Sequence, residues 1–199
     1  MPGWTVQEGR AVALPLENVD TDQLIPARFM STPRSEGYGG FLLHDLRHDA
    51  EGQPDPDFPL NAPGAEAARI LVTRRNFGAG SSREAAVYAL VDAGFRVVIA
   101  PSFGDIFSSN AVNNGLLPAQ LDAEAVETLL AACPCEMRVD LEAGTISAPG
   151  GAVGFTLDRV WRQKLMNGWD DIDLTLAHDS EIGAFAETRK RAQPWTWPA

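Results

Sequence analysis

The stretch that decides the fold is residues 69–100, RILVTRRNFGAGSSREAAVYALVDAGFRVVIA. Its two ends, 69–73 and 95–100, are short apolar runs of the kind that form buried strands, and alanines and leucines between 82 and 93 recur at helical spacing. Gly94 stands where it would end that helix. A strand, a helix and a second strand of this length predict a βαβ unit with parallel strands and a right-handed crossover.

The segments on either side extend this unit into an α/β fold. Pro26 interrupts regular structure in residues 18–30, which predicts a loop or a short turn there. Period-two patterns broken by glycines predict a small β-meander over residues 137–158. The remaining patterns predict a strand at 10–16, a short helix within 101–115, an edge strand at 116–121, a helix from 122 to 132 capped by Asp122, and amphipathic helices at 159–167 and 179–191.

The length of 199 residues suits a single domain, with one long irregular segment and a tail. Residues 31–64 are rich in Gly, Pro and Asp and are long for a structureless loop in a compact domain. Such loops tend to be binding loops or lids, so we predict that this segment is mobile. Residues 192–199 form the tail, which we expect to be mobile or docked through its tryptophans.

The composition excludes several classes of partner. There are 16 Lys and Arg residues against 27 Asp and Glu residues, a net charge of −11, so neither nucleic acid nor an anionic membrane surface is a suitable ligand. The chain has no apolar run near the ~20 residues of a membrane span. The first ten residues lack the basic and apolar regions of a secretion signal, so we predict a cytoplasmic protein.

Residues 74–84 are the best candidate for a functional site. Ligands of open α/β sheets gather at the carboxyl ends of strands, beside the N-termini of the following helices. Gly78 and Gly80 allow the backbone to turn sharply there. Arg74, Arg75 and Arg83 stand close together in an otherwise acidic chain, and unpaired helix amides add positive potential. These features predict a site for a carboxylate or phosphate.

Other patterns have simpler explanations. The sequence Ser81-x-x-Glu84 is a capping box, so Ser81 has an alternative role as a helix N-cap. Arg83 replaces the third glycine of a dinucleotide fingerprint, which excludes that motif. The pair His44 and His48 lacks a metalloprotease motif and is expected to lie on the surface.

Metal ligation by this chain is not predicted. Asp20 and Asp22 have no third ligand nearby in the sequence and more often orient an arginine or cap a turn. Cys133 and Cys135, one residue apart, favour neither a disulfide nor a metal site, and two thiols alone do not hold an iron–sulfur cluster.

Four segments together resemble a known family: NVDTDQLIPARFM (18–30), NFGAGSSRE (76–84), APSFGDIFSSNAVNNGLLP (100–118) and LTLAHDSEI (174–182). Over residues 4–190 the chain resembles the small subunits of 3-isopropylmalate dehydratase, which act in leucine biosynthesis. This family is similar to the swivelling β/β/α C-terminal domain of aconitase. The resemblance implies a large partner subunit that carries a [4Fe–4S] cluster, with no cofactor bound by this chain, and a small dicarboxylate substrate.

The resemblance also implies roles for individual residues. Ser81 matches the catalytic base of the superfamily, Arg83 matches its carboxylate-binding arginine, and Asp22 matches an active-site aspartate that orients a neighbour. Gly80, Ser82 and Thr21 are expected to contribute to substrate binding. The loop after Asp22 is where the superfamily distinguishes substrates, so the side chains expected to face the variable group of the substrate are Leu24, Ile25 and Arg28.

The implied reaction is the reversible interconversion of 2-isopropylmalate and 3-isopropylmalate by dehydration and rehydration through 2-isopropylmaleate. The cluster iron of the large subunit would act as a Lewis acid on the leaving hydroxyl. Two alternatives remain. Ala79 and Ala85 replace residues common in the family, which leaves open a related hydratase for another substituted malate or maleate. The other alternative is a non-catalytic swivel domain in which Ser81 is only a cap.

Overall fold

The computed structural model describes residues 2–197 and contains a mixed sheet of seven strands. The strands are β1 (Val6–Leu14), β2 (Ile70–Thr73), β3 (Val97–Ala100), β4 (Leu117–Gln120), β5 (Cys135–Asp140), β6 (Thr145–Ala148) and β7 (Gly151–Gly154). Their order across the sheet is β4-β3-β2-β1-β5-β6-β7. The chain therefore folds as the α/β protein that the sequence predicts, with β4 at one edge.

Strand β1 joins two halves of different character. It pairs in parallel with β2, and β2, β3 and β4 continue the parallel half. On its other side β1 pairs antiparallel with β5, and β5, β6 and β7 form the predicted meander. The sequence patterns indicated the meander but not its place, and the structure shows it as a continuation of the same sheet.

Eight α-helices accompany these strands within residues 2–197. They are α1 (Thr21–Leu24), α2 (His44–Arg47), α3 (Ala85–Asp92), α4 (Asp105–Asn113), α5 (Ala123–Ala132), α6 (Arg159–Asn167), α7 (Asp171–Leu176) and α8 (Asp179–Ala192). The prediction for α6 is confirmed residue for residue, and Asp122 caps α5 by accepting from the amide of Ala125. Helices α1, α2 and α7 have too few residues to show a helical period, and the sequence analysis missed them.

The core lies on both faces of the sheet. One face packs against α1, α3 and residues 31–64, and the other against α5 and α6. Strands β2 and β3 are buried at every position, as expected for central parallel strands covered on both sides. This arrangement leaves the loops after β1, β2 and β3 together at the carboxyl end of these parallel strands.

Residues 31–64 are folded rather than structureless. Short 3-10 helices at Arg34–Glu36 and Gly39–Phe41 precede α2, and another at Pro59–Asn61 follows it. The side chains that enter the core are Tyr38, Leu42, Leu43 and Leu60. The segment has no long helix or strand, but it covers one face of the sheet. Its mobility stays a prediction.

The C-terminal region shows the opposite behaviour. Helices α7 and α8 contain no buried residue. Trp195 is 77% exposed, so the tail up to residue 197 is not docked through this tryptophan, and residues 198–199 of the predicted tail lie outside the described residues. Within residues 2–197, every helix is too short or too polar to traverse a lipid bilayer.

Candidate active site

The loops after β1 and β2 form the site by continuing the parallel pairing of their strands. The amide of Gly78 donates to the carbonyl oxygen of Val19 at 2.7 Å. The amide of Thr21 donates to the carbonyl oxygen of Ala79 at 2.9 Å, and the amide of Ser81 donates to Thr21 Oγ1 at 3.1 Å. Two segments that are 60 residues apart in sequence are thus held side by side at the carboxyl end of the sheet.

The two glycines of the loop are required for different reasons. Gly78 has a φ of +72°, and a Cβ there would lie 2.2 Å from Cγ of Phe107, so no larger residue fits. Gly80 has a φ of +102°, where an L side chain would strain the backbone, although the nearest atom to a Cβ would be Thr21 Oγ1 at 3.5 Å. The loop therefore passes tightly over α4 before it reaches Ser81.

Ser81 is exposed on this face. Its hydroxyl has no hydrogen-bond partner among residues 2–197. The prediction of a capping box is wrong, because α3 begins at Ala85 rather than at 82, and Glu84 occupies the cap position without a side-chain cap. The amide of Arg83 donates to the carbonyl oxygen of Ser81 at 2.7 Å, and this tight turn delays the start of the helix.

The start of α3 offers donors to an anion. The backbone amides of Ser82, Glu84 and Ala85 donate to no acceptor within the described residues. Amides at a helix N-terminus carry partial positive charge and bind carboxylates and phosphates. The Ser81 hydroxyl stands just before these amides in the chain.

Arg83 is the arginine that the fold holds at this site. Its side chain is only 17% exposed, and Nη1 donates to Asp22 Oδ1 and, at 3.4 Å, to the carbonyl oxygen of Ile25. Its Nε and Nη2 have no acceptor among residues 2–197. The contact with Asp22 thus fixes one nitrogen of the Arg83 guanidinium.

The other two arginines of the predicted cluster are engaged elsewhere. Arg74 forms a two-point ion pair with Glu127 of α5 at 2.7 and 3.1 Å, and Arg75 pairs with Glu17 at 2.9 Å. The hydrogen bond between these two side chains raises the pKa of Arg74 and lowers the pKa of Glu127. The prediction that three arginines surround one anion is therefore wrong, because Arg74 and Arg75 are paired with glutamates.

The structure also corrects the residues expected to face the variable group of the substrate. Leu24 and Ile25 are fully buried in the core, because α1 turns its apolar end inward, so this chain presents neither side chain to a ligand. Arg28 is exposed, but its guanidinium pairs with Asp45 of α2 and stacks over Phe29. Thr21 is 2% exposed and contacts the Ser81 amide, which makes it part of the frame of the site.

The sequence did not predict a role for two asparagines that lie next to the site. Asn18 and Asn76 both adopt left-handed backbone conformations, with φ of 56° and 62°. Asn76 Nδ2 donates to Asn18 Oδ1 at 2.9 Å, and the Asn76 amide donates to Ser102 Oγ at 2.9 Å. These contacts tie the loops after β1, β2 and β3 together. Asparagine tolerates this conformation better than most residues, which was the only available signal.

The remaining candidate groups form no metal site. Within residues 2–197, no three His, Cys, Asp or Glu side chains come together as metal ligands. Cys133 and Cys135 are free thiols, and burial raises the pKa of Cys133 to about 12. His44 and His48 stack on each other with ring centroids 4.3 Å apart beside the Arg28–Asp45 pair. These residues therefore do not fit an iron–sulfur cluster.

Ser81, Ser82 and Glu84 are exposed on this face of the protein. A cavity of about 590 Å³ opens between the ends of β3 and β4 and residues 154–156, but neither Ser81 nor Arg83 lines it. Two exposed apolar side chains are Leu16, which follows β1, and Ile106 of α4.

The fold and this site define the class of protein. Residues 1–124 match the family model described as the aconitase C-terminal domain. Residues 171–199 match a second model, described as the C-terminal domain of the 3-isopropylmalate dehydratase small subunit. The first match contains every residue of the candidate site. The site thus lies in an aconitase-type swivel domain, as the sequence predicted.

Comparison with individual proteins narrows the class to one family. The chain is 49% identical over 186 residues to the 3-isopropylmalate dehydratase small subunit of Anaeromyxobacter sp. (strain K), covering 93% of this chain and 97% of that protein. It is 44% identical to the protein of the same name from Dinoroseobacter shibae, covering 98% and 100%. The chain belongs to the family of 3-isopropylmalate dehydratase small subunits.

A solved structure agrees with this assignment. The crystal structure of 3-isopropylmalate dehydratase from Methanocaldococcus jannaschii superposes with a TM-score of 0.67 at 25% identity. The alignment covers 91% of this chain and 99% of that one. The fold is therefore shared over nearly the whole length.

Proposed function

We propose that this chain is the small subunit of a heteromeric hydro-lyase that interconverts 2-isopropylmalate and 3-isopropylmalate through 2-isopropylmaleate, in leucine biosynthesis. The observation that carries the proposal is the placement of Ser81. Ser81 is exposed, its hydroxyl is unpaired within residues 2–197, and it stands next in sequence to the free amides around the start of α3 and to Arg83.

The role proposed for Ser81 is that of the base. In dehydration the Oγ, as an alkoxide, takes the proton from one carbon while the hydroxyl leaves the neighbouring carbon, and the double bond of 2-isopropylmaleate forms. In rehydration the Oγ returns the proton to the carbon that lost the hydroxyl, and the hydroxyl of water adds to the carbon that lost the proton. A serine hydroxyl is a very weak acid, so its alkoxide needs strong stabilisation in a site that excludes water. The amides of Ser82, Glu84 and Ala85 and the charge of Arg83 supply donors for this purpose.

The role proposed for Arg83 is to hold a substrate carboxylate. Its Nε and Nη2 can form the two parallel hydrogen bonds that a carboxylate accepts from a guanidinium. Asp22 keeps the guanidinium in place through Nη1. Gly80 and Ser82 would contribute backbone amides to the same anion.

The large subunit is the proposed partner that covers this face. The small-subunit family implies a heteromeric enzyme, and the exposure of Ser81 supports a partner at this surface. The [4Fe–4S] cluster is proposed for that partner, because the Cys, His, Asp and Glu residues described for this chain form no ligand set. We propose a cytoplasmic location for the complex.

Replacing Ser81 by Ala in the reconstituted two-subunit enzyme tests the proposal. We expect kcat to fall by about 10³-fold or more, because the base is lost, while the subunits still assemble. Ser35→Ala, which removes another exposed serine, is the matched control and should leave kcat unchanged. If the Ser81→Ala enzyme turned over at the wild-type rate, the non-catalytic alternative would be correct.

A substrate panel tests the choice of substrate. The reconstituted enzyme should have its highest kcat/KM with isopropylmalates, because the family identity extends over 93% of the chain. A higher kcat/KM with methyl-substituted malates or maleates would favour the related hydratase.

A further inference from the structure

We infer that Thr21 is a positioning residue for Ser81, acting through the hydrogen bond between its side-chain hydroxyl and the Ser81 amide. This inference rests on the proposed function, in which Ser81 is the base. It assigns to Thr21 a role different from the substrate contact implied by the resemblance. Thr21 is 2% exposed, so it has little surface to offer a ligand.

Thr21 holds the loop on both sides of Gly80. Its backbone amide donates to the carbonyl oxygen of Ala79 at 2.9 Å, and its Oγ1 accepts from the amide of Ser81 at 3.1 Å. Gly80 lies between these two contacts with a φ of +102° and with no side chain to restrict it. Without the hydroxyl contact, rotation about Gly80 would be free to move Ser81.

The support behind Thr21 is rigid. Helix α1 is held by a reciprocal cap in which Asp20 accepts from the Gln23 amide at 2.8 Å and the Gln23 side chain accepts from the Asp20 amide at 3.0 Å. Leu24 at the end of the helix is fully buried, and its carbonyl oxygen accepts from the amide of Leu43. The position of the Thr21 hydroxyl is therefore set by the core of the protein.

The same short helix also orients the anion-binding arginine. Asp22, next to Thr21, pairs with Arg83, while Thr21 pairs with Ser81. One four-residue helix thus fixes the base and the arginine relative to each other. A displacement of about 1 Å in a catalytic group can lower the rate about 100-fold, so this contact has a measurable consequence.

The test is Thr21→Val in the reconstituted enzyme. Valine has the same shape and suits a buried position, but it removes the acceptor of the Ser81 amide. We expect kcat to fall about 10- to 100-fold with less than about a threefold change in KM, because the base moves while the carboxylate clamp stays. Hydrogen exchange at the Ser81 amide should become faster than in the wild-type chain.

Two further variants separate positioning from a merely structural effect. Thr21→Ser keeps the hydroxyl and should retain kcat within about threefold of the wild type. Thr73→Val is the matched control, since Thr73 is also buried and its hydroxyl donates to the carbonyl oxygen of Leu16 at 3.2 Å without touching Ser81. It should leave kcat and the Ser81 exchange rate unchanged.

The outcomes distinguish this inference from the proposed function. If Ser81→Ala abolishes turnover but Thr21→Val keeps the wild-type kcat, the positioning role is wrong and the proposed function stands. If Ser81→Ala keeps turnover, the proposed function itself fails. An equal loss of kcat in Thr21→Val and Thr73→Val would show a general effect of buried hydroxyl loss and would overturn the inference.

Discussion

Residues 31–64 and residues 171–197 show opposite relations between secondary structure and burial. The first segment has many glycines, prolines and aspartates and only short helical turns, yet it places Tyr38, Leu42, Leu43 and Leu60 in the core. The second consists largely of α7 and α8, yet buries no residue and exposes large apolar side chains such as Phe185, which is 66% exposed.

Regular secondary structure and burial are therefore separate properties of these two segments. Most helical stability in proteins comes from packing an apolar face, not from helix propensity. Residues 31–64 are stabilised by burial, with the Asp92 carboxylate accepting from Arg34 and from the Tyr38 amide. Residues 171–197 are attached mainly at their start, where Asp171 pairs with Lys164 of α6.

The largest expected effect comes from the core contact of the irregular segment. Leu42→Ala should lower the free energy of unfolding by about 2–5 kcal/mol, because it leaves a cavity at a fully buried position. Phe185→Ala in α8 is the matched change and should stay within about 0.5 kcal/mol of the wild type. Urea denaturation of the isolated chain measures both. Equal losses would contradict the contrast between the segments.

A smaller effect is expected from the polar anchor of residues 31–64. Asp92→Ala removes a carboxylate that accepts from two nitrogens of Arg34 at 2.6 and 2.9 Å and from the Tyr38 amide at 2.7 Å. We expect a loss of about 1.5–3 kcal/mol in the free energy of unfolding, as for hydrogen bonds to charged groups. Glu187→Ala in α8, which breaks a solvent-exposed pair with Arg191 at 4.0 Å, should cost less than about 0.5 kcal/mol. Thermal unfolding would refute the prediction if it ranked the two variants the other way.

The smallest effect is a pH dependence. The hydrogen bond from Arg28 lowers the pKa of Asp45 to about 2 in the folded chain, whereas an unfolded aspartate titrates near 4. The unfolded state therefore binds more protons between about pH 4 and pH 2, and the contribution of this pair, complete above pH 4, is lost as the pH falls. Asp45→Asn should flatten the dependence of stability on pH in this range. An unchanged slope in acid-unfolding curves would disprove the assignment to Asp45.

The sequence predicted the regular parts of the fold because their signals are local. The apolar runs of β2 and β3, the cap at Asp122 and the end of α6 at Gly168 each depend on a few neighbouring residues. The prediction for the start of α3 was wrong because it used the same kind of local signal. The local pattern of Ser81 and Glu84 favoured a capping box, whereas contacts with the distant loop at Thr21 and a tight turn at Arg83 determine the backbone there.

The sequence by itself determined the family and the α/β class, and it predicted a site at the carboxyl ends of the strands with Ser81, Arg83 and Asp22 as its central residues. Only the tertiary structure decided how these residues are used. It directed Arg74 and Arg75 to Glu127 and Glu17, buried Leu24 and Ile25, and brought Thr21 beneath Ser81. The physical reason is that ion pairing and burial depend on groups about 50 to 60 residues away, which a local pattern does not contain.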